Sequence, residues 1–300
     1  MSGSGSAVVA RIVSLASICA ALLISAAQVQ CVTYDDDEQL HFYWSPASGN
    51  VHHYKVFLYI DGIKYPEEWT TTTVPTEEDP YLVPIDAEPG KAYQLQVQAV
   101  AADGITTGPM SELSDPVKVL ERQELYLHKG WNLISIYLDI IDTDLSSVLA
   151  SIKGEGDCSS VWAYDYDAHT SSRIWKRYIP GSPLNGLYTV EAGEGYWINM
   201  TGDATLTIIG EPITKAYIPL YSGWNLVGYS SSIEQLPEDS LSSIPGHASI
   251  WTYDSVTGDW LRYIVGTFDL LNTLSQLVPG SGYWIYVEQD CEWHITSNAD

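Results

Sequence analysis

Residues 130–133 read Gly-Trp-Asn-Leu, and residues 223–226 read the same four letters. Further landmarks recur in the same order along the chain. They are Val161-Trp162-Ala163-Tyr164-Asp165 with Ile250-Trp251-Thr252-Tyr253-Asp254, Trp175-Lys176-Arg177-Tyr178 with Trp260-Leu261-Arg262-Tyr263, and Gly195-Tyr196-Trp197-Ile198 with Gly282-Tyr283-Trp284-Ile285. The spacing between the copies stays at about 85 to 93 residues, which indicates a duplicated unit. We assign repeat 1 to residues 122–212 and repeat 2 to residues 214–300.

Each repeat is predicted to be rich in β-strands, with a short helix. The first strands run through residues 124–137 and 217–229, and a glycine turn breaks each of them. In repeat 1, Asp144 is a predicted N-cap, and apolar residues at helical spacing follow it as far as Ile152. Repeat 2 keeps only a helical stub at 241–244. Because each repeat is small for an independent core, we expect the two to pack as one pseudo-symmetric unit.

The region before the repeats, residues 33–120, has the pattern of an antiparallel β-sandwich. The run from Leu40 to Trp44 alternates between apolar and polar residues, as a half-buried strand does. Asp61-Gly62 is a strong signal for a two-residue hairpin turn. Short strands without a helical pattern between them favour a sandwich. The predicted fold class is therefore all-β dominated: an immunoglobulin-like sandwich followed by a duplicated β-rich module with short helices.

This first region resembles a fibronectin type III domain. The resemblance rests on Trp44 in the second strand, on Tyr54 ten residues later, on the strand-like run 90–99, and on Gly-Pro-Met-Ser at 108–111. It implies that Trp44 is the central core tryptophan and that the hydroxyl of Tyr93 ties a corner to the backbone. Domains of this family usually act as spacers or docking modules, so the resemblance implies no particular binding residue.

The two repeats resemble the "GWN … GYW" modules of large extracellular bacterial and archaeal proteins, which often stand beside fibronectin-type domains. The resemblance is one of pattern and spans residues 122–297. It implies neither an enzymatic activity nor a particular ligand.

The charge balance is strongly acidic, with 38 Asp and Glu against 13 Lys and Arg and a net charge of −25. Such a balance argues against nucleic acid, because basic side chains are needed to neutralise phosphates. It argues equally against anionic membrane surfaces. It leaves room for divalent cations. The hydrophobic fraction of 45% is sufficient for folded cores.

The N-terminus, residues 1–27, reads as a secretory signal peptide. Arg11 precedes an apolar run from Ile12 to Ala27, and small residues close the run. The run is short for a membrane span, so we predict no membrane span once the signal is removed. The predicted location is extracellular or at the cell surface. Cys31 raises the alternative of a lipid anchor, although Gln28-Val29-Gln30 is a poor lipobox.

Cysteines and acidic clusters are the remaining candidates for covalent or metal chemistry. Three cysteines are left after signal removal, so at least one is unpaired or forms an intermolecular bond; Cys158 and Cys291 both lie in the repeats and are the candidate pair for a disulfide. We assign no cofactor, with calcium as the alternative, because carboxylate oxygens are its preferred ligands. The acidic clusters are Asp35-Asp36-Asp37-Glu38, Glu77-Glu78-Asp79, Asp165 with Asp167, and Asp254 with Asp259.

Aromatic residues supply the candidate binding site. Nine of the eleven tryptophans lie after residue 130, so the aromatic character belongs to the repeats. An accessible tryptophan stacks on the apolar face of a sugar ring or acts as a hot spot for a protein partner. The predicted ligand-binding residues lie on the two hairpins: Trp162, Tyr164, Trp175, Trp251, Tyr253 and Trp260. Recurrence at equivalent positions instead favours a core role for Trp131, Trp197, Trp224 and Trp284.

The sequence carries no signature of a hydrolase elbow, a zinc protease or a phosphate loop, so we predict that the protein is not an enzyme. The predicted function is a secreted or cell-surface binding or adhesion module that recognises a glycan or a protein. The alternative is a structural subunit of an extracellular fibre, sheath or surface layer, which would self-associate through edge strands.

Overall fold

The computed structural model describes residues 29–34, 40–76, 79, 81–82, 87–167, 170 and 172–297. The chain divides into two compact units, Met1–Val119 and Leu120–Asp300, called unit 1 and unit 2 below. Strands dominate both, which confirms the predicted fold class. Within the described ranges, no helix has the length and apolar character needed to cross a membrane. The predicted signal peptide lies outside the described residues.

Unit 1 is built from antiparallel strands. They are β1 (Val29–Tyr34), β2 (Leu40–Trp44), β3 (Val51–Ile60), β4 (Ile63–Thr71), β5 (Tyr81–Leu82), β6 (Ala92–Ala101), β7 (Thr107–Met110) and β8 (Val117–Lys118). One sheet has the order β1–β2–β5, and another has the order β4–β3–β6–β7 with β8 also paired to β6. Buried side chains from both sheets form a single core, so unit 1 is a β-sandwich.

Trp44 occupies the centre of this sandwich, as the fibronectin resemblance implied. Its side chain is 2% exposed, and its ring packs edge-on against Tyr54 at a centroid distance of 5.8 Å. The predicted hairpin is also confirmed, because Asp61 and Gly62 both have positive φ between β3 and β4. Such φ values at both turn positions match the twist of the flanking strands.

Tyr93 ties a corner of unit 1 to the backbone, which confirms the implied role of its hydroxyl. The hydroxyl oxygen accepts a hydrogen bond from the Glu88 N–H at 2.8 Å, while the ring is 1% exposed. Unit 2 contains the same device in both repeats. Tyr196 accepts from the Glu191 N–H, and Tyr283 from the Val278 N–H, again five residues upstream.

We expect Tyr93→Phe to destabilise the protein by about 1 kcal/mol, because it removes one hydrogen bond while keeping the buried ring. Urea unfolding of unit 1 measures the change. Tyr65→Phe is the matched control, since the stacking of Tyr65 on Trp69 at 5.5 Å survives the loss of a hydroxyl. Equal unfolding midpoints for the two variants would contradict a stabilising role for the Tyr93 hydroxyl.

Unit 2 contains the two repeats. Repeat 1 comprises β9 (Glu121–Leu127), β10 (Gly130–Ser135), β11 (Leu138–Ile140), α1 (Leu145–Leu149), β12 (Lys153–Gly154), β13 (Cys158–Asp167), β14 (Ser172–Tyr178), β15 (Gly195–Met200) and β16 (Ala204–Pro212). Repeat 2 comprises β17 (Lys215–Leu220), β18 (Gly223–Gly228), α2 (Pro237–Ser240), a 3-10 turn (Leu241–Ser243), β19 (Ser249–Tyr253), β20 (Trp260–Ile264), a 3-10 turn (Asp269–Leu271), β21 (Gly282–Val287) and β22 (Cys291–Thr296).

The repeats share one topology. The main sheet of repeat 1 has the order β10–β15–β13–β14, and that of repeat 2 has the equivalent order β18–β21–β19–β20. A second sheet in each repeat pairs its first strand with its last, β9 with β16 and β17 with β22. Each repeat has its own hydrophobic core cluster. In repeat 2, the fully buried Trp293 occupies the position that Leu206 fills in repeat 1.

The Gly-Trp-Asn motif forms a turn that the asparagine side chain closes with hydrogen bonds to the backbone. Gly130 and Gly223 have φ of 94° and 97°, a conformation that side-chain-bearing residues rarely adopt. The following asparagine is buried in both copies. Asn225 accepts a hydrogen bond from the Tyr221 N–H and donates its amide to the Tyr221 carbonyl, and Asn132 does the same at His128. The glycine and the asparagine of the motif therefore form the turn, and the tryptophan between them has no part in it.

The predicted helix of repeat 1 is present but short. Asp144 is its N-cap, and its carboxylate accepts from the N–H groups of Ser146 and Ser147. The helix ends at Leu149, before the predicted Ile152. The stub of repeat 2 is an α-helical turn followed by a 3-10 turn.

The repeats join by exchanging equivalent contacts. The Ser135 N–H of β10 donates to the Gly280 carbonyl of repeat 2 at 2.8 Å. In return, the Gly228 N–H of β18 donates to the Gly193 carbonyl of repeat 1, also at 2.8 Å. Because each bond is the counterpart of the other, the two repeats are related by an approximate two-fold rotation, and they form one compact unit.

Candidate functional site: an aromatic face at the repeat junction

The outward-facing side chains of the two main sheets are largely aromatic. In β13, Val161 and Ala163 are buried in the core, so Trp162 between them points away from it. Trp197 in β15 likewise lies between two buried neighbours. We call the following set the aromatic face: Trp131, Trp162, Tyr164, Trp175 and Trp197 of repeat 1, with Trp224, Trp251, Tyr253, Trp260 and Trp284 of repeat 2.

Strand pairing brings these rings together within each repeat. Trp162 is the register partner of Trp197, and Tyr164 is the partner of Trp175. The equivalent partners in repeat 2 are Trp251 with Trp284 and Tyr253 with Trp260. Opposite residues of an antiparallel pair project from the same side of the sheet, so each repeat presents a compact aromatic group.

The two aromatic groups also contact each other across the repeat junction. The ring of Trp197 lies 5.3 Å from Tyr253 and 5.8 Å from Trp260, between centroids. The counterpart contacts join Trp284 to Tyr164 at 5.2 Å and to Trp175 at 5.9 Å. The face therefore belongs to both repeats, and neither repeat presents it alone.

Two adjacent pockets open on this face. The first has a volume of about 440 Å³ and is lined by Trp131, Trp162, Trp175, Trp197 and Tyr253. The second has a volume of about 500 Å³ and is lined by Trp175, Trp197, Trp224, Trp251, Trp260 and Trp284. The pockets share Trp175 and Trp197. All these lining residues are aromatic, and both volumes lie in the range of small-ligand sites.

The prediction of a core role for four recurrent tryptophans is wrong. Trp131 and Trp224 are 45% and 42% exposed, and Trp197 and Trp284 are only half-buried. Recurrence reflects a duplicated surface here rather than a duplicated core. The two-residue alternation of β15 carried the missed signal, since core residues at Tyr196 and Ile198 place Trp197 on the opposite side.

The six residues predicted to bind ligand all lie on the aromatic face. Five of them line a pocket: Trp162, Trp175, Trp251, Tyr253 and Trp260. Tyr164 packs beside them, with its ring 4.9 Å from that of Trp175. The structure thus brings the six side chains together, while their role in binding stays a prediction.

Arginines lie against several of these rings. The guanidinium of Arg177 is 5.9 Å from the Trp162 ring centre, and that of Arg262 is 5.2 Å from the Trp251 ring centre. These two contacts occupy equivalent positions in the repeats. A cation at such a distance is attracted by the negative face of an indole ring.

Arg173 links the repeats beside the face. Its guanidinium lies 5.3 Å from the ring centres of both Tyr166 and Tyr221, and these two rings stack on each other. It also donates a hydrogen bond to the side-chain oxygen of Asn225. Burial lowers the pKa of Arg173 from its ordinary value, although an arginine stays charged at physiological pH.

Glu194 is the strongly shifted carboxyl of the junction. Burial, followed by the negative charges of Asp165 and Glu191, raises the pKa of Glu194 to about 7. The positive charges of Lys176 and Arg173 act in the opposite direction with smaller effect. Glu194 does not line either aromatic pocket.

The predicted disulfide between Cys158 and Cys291 is absent, and both are free thiols. Each packs against the core of its own repeat, so the two side chains belong to different clusters. Burial raises the pKa of the Cys158 thiol to about 11, which keeps it protonated and unreactive near neutral pH.

Metal-binding geometry is lacking in the part of the chain that the structure describes: no group of three or more His, Cys, Asp or Glu could hold an ion. Asp254 uses its carboxylate to accept hydrogen bonds from Val256 and Thr257 of its own turn. Asp35-Asp36-Asp37-Glu38 and Glu77-Glu78 lie outside the described residues.

Comparison with known proteins gives no family for this chain. No protein-family model matches it, and no curated protein does. Among solved structures, the FN1–FN3 domains of chicken CNTN1 match at 13% identity with a TM-score of 0.18, over 92% of this chain and 99% of that one. At that TM-score, the likeness identifies neither the fold of the repeats nor a ligand.

Proposed function

We propose that this protein is a non-enzymatic, exported binding module whose aromatic face recognises a glycan or a protein. One observation carries the proposal: nine aromatic side chains from two repeats line two adjacent pockets, and four of the tryptophans are 42–51% exposed. A contiguous exposed apolar patch of this kind typically marks an interaction site.

The alternative of a purely structural face is less consistent with these exposures. Core tryptophans in this chain are buried almost completely, as Trp44 and Trp293 show at 2% and 0% exposure. The tryptophans of the aromatic face are half-buried or exposed, although core positions exist in the same repeats. Large rigid rings of this kind provide contact area at a low entropic cost when a ligand binds.

The absence of an enzymatic role is part of the proposal. Its support is the character of the pockets, whose lining residues are tryptophan and tyrosine. Acid–base chemistry requires a titratable group within hydrogen-bond reach of the reacting atom, and Tyr253 is the one such side chain among these lining residues. Export is supported by the apolar N-terminal run and by its small residues before position 28.

We expect Trp175→Ala to weaken ligand binding by at least about 10-fold, because central aromatic residues of an interface typically contribute about 2 kcal/mol. Trp175 lines both pockets, and its 51% exposure makes the substitution tolerable for folding. The mature chain is applied to an array of defined glycans and to an array of purified extracellular proteins. Any binder found is then titrated against wild type and variant.

Tyr217→Ala is the matched control for this experiment. Tyr217 is 60% exposed, lies in β17 and lines neither pocket, so its removal should leave binding unchanged. Equal loss in both variants, or no loss in Trp175→Ala, would contradict the aromatic face as the binding surface. Light scattering on the same samples separates a binding module, which stays monomeric, from a fibre or sheath subunit, which assembles.

A further inference from the structure

We propose that each aromatic pocket binds a quaternary ammonium group, held by cation–π attraction to its walls. This inference rests on the proposed function and names the chemical group that the aromatic face recognises. The carrier of the group, a glycan or a protein, is what the arrays described above identify.

Several of the rings that line each pocket meet at steep angles. In the first pocket, the rings of Trp131 and Trp197 are perpendicular at 90°, with centroids 6.1 Å apart. Trp162 and Trp175 meet at 77° and 6.3 Å. In the second pocket, Trp224 meets Trp251 at 74° and Trp284 at 81°. Differently oriented rings of this kind offer more than one aromatic face to a bound cation.

The chain already places its own cations on this face. Arg177 lies over Trp162, Arg262 over Trp251, and Arg173 lies 5.9 Å from the ring centre of Tyr164. Arginine and lysine are scarce in this sequence, at 13 of 300 residues. Strand pairing sets Arg177 opposite Trp162 and Arg262 opposite Trp251, and cation–π attraction favours both contacts.

Net charge favours the same class of ligand. The protein carries −25 at pH 7, so a cation is attracted and an anion repelled. Both pockets are lined with aromatic side chains rather than with carboxylates or amides. A primary ammonium would lose its hydration there without new hydrogen-bond acceptors. A quaternary ammonium has no N–H groups, so it enters the same pocket without that loss.

The test compares choline with 3,3-dimethylbutan-1-ol, which has the same shape without the charge. Isothermal titration calorimetry on the full mature chain is expected to show choline binding at least about 10-fold more tightly, since several ring faces attract its charge and the neutral compound has none. Equal affinities for the two compounds would overturn the proposal. So would a failure of choline to bind.

Two substitutions at Trp175 separate charge recognition from simple burial. Trp175→Leu keeps an apolar wall but removes one ring of each pocket, and it should reduce the preference for choline over the neutral compound. Trp175→Phe keeps a ring and should retain most of the preference. A preference as large in Trp175→Leu as in wild type would contradict the cation–π mechanism.

The two proposals fail in distinguishable ways. If a glycan or protein binds wild type but not Trp175→Ala while choline does not bind, the cation proposal is wrong and the binding function stands. If choline binds wild type, and Trp175→Ala loses affinity for both choline and the glycan or protein, both proposals are supported.

Discussion

The double variant Gly195→Ala and Gly282→Ala is expected to lower the free energy of unfolding of unit 2 by about 2–6 kcal/mol, because each added methyl group overpacks the repeat junction at a cost of about 1–3 kcal/mol. A Cβ on Gly195 would stand 2.7 Å from the Val227 carbonyl oxygen, and one on Gly282 would stand 2.7 Å from that of Ile134. Backbone atoms cannot rotate away as a flexible side chain can, so the repeats would have to separate.

The cost at these positions is steric. Neither glycine has the left-handed φ that other residues avoid, so alanine is compatible with the local backbone. Each methyl group would also press on a buried leucine of the other repeat, Leu226 or Leu133. A wider junction would move Trp197 away from Tyr253 and Trp260, and ligand binding should weaken together with stability.

Urea unfolding of the full chain, followed by tryptophan fluorescence, measures the effect, since nine of the eleven tryptophans lie in unit 2. Gly186→Ala is the matched control, because a Cβ there meets no atom within 4 Å. A double variant as stable as this control would show that the repeats are not held at the glycine contacts.

Glu194→Gln is expected to stabilise unit 2 at about pH 8 by about 3 kcal/mol and to have little effect below about pH 4.5. The folded protein holds the pKa of Glu194 at about 7, above the ordinary 4.5. Each pH unit between those two values corresponds to about 1.4 kcal/mol. Glutamine stays neutral at every pH, so the variant has no cost of a buried negative charge at this position.

The direction of the pH dependence follows from the raised pKa. Below about pH 4.5 the carboxyl is protonated in the folded and unfolded chains alike, and its burial is compatible with the fold. As pH rises towards 7, the unfolded chain releases the proton first, so stability falls. Above about pH 7 the folded protein holds a buried negative charge beside Asp165 and Glu191, and the full loss is reached.

The measurement is the urea unfolding midpoint at about pH 5 and about pH 8, for wild type and variant. Glu124→Gln makes the same change of net charge at an exposed position in β9, which corrects for the general repulsion in so acidic a chain. If the two variants gain the same stability at about pH 8, the burial of the Glu194 carboxyl does not cause the gain.

Repeat 2 carries Ser281 where repeat 1 carries Glu194, so the second copy lacks this pH dependence.

Local patterns in the sequence were sufficient for the strands and turns. The alternation around Trp44 predicted a half-buried strand, Asp61-Gly62 predicted its hairpin, and Asp144 predicted a helix start. Each of these depends on the backbone preferences of a few neighbouring residues. The duplication was also readable directly, because equivalent residues keep their order and spacing.

The candidate site was only half predictable. Their position on the hairpins correctly placed Trp162, Trp175 and their repeat 2 counterparts on the aromatic face. Recurrence at equivalent positions wrongly predicted a core role for Trp197 and Trp284. Both kinds of tryptophan recur, so recurrence cannot separate a duplicated core from a duplicated surface. The predicted Cys158–Cys291 disulfide failed for a related reason, since membership of the same unit does not place two side chains in the same cluster.

The sequence by itself determined the all-β class, the duplication, the turn chemistry of the Gly-Trp-Asn motif and the acidic character, because each depends on composition or on short-range backbone preference. The tertiary structure alone decided how the repeats join: glycines at Gly195 and Gly282 let two backbones approach, and an approximate two-fold rotation then sets one aromatic group against the other. The pockets exist only in that arrangement, since residues far apart in the chain form their walls, such as Trp197 with Tyr253 and Trp175 with Trp284, and no local pattern records their contact.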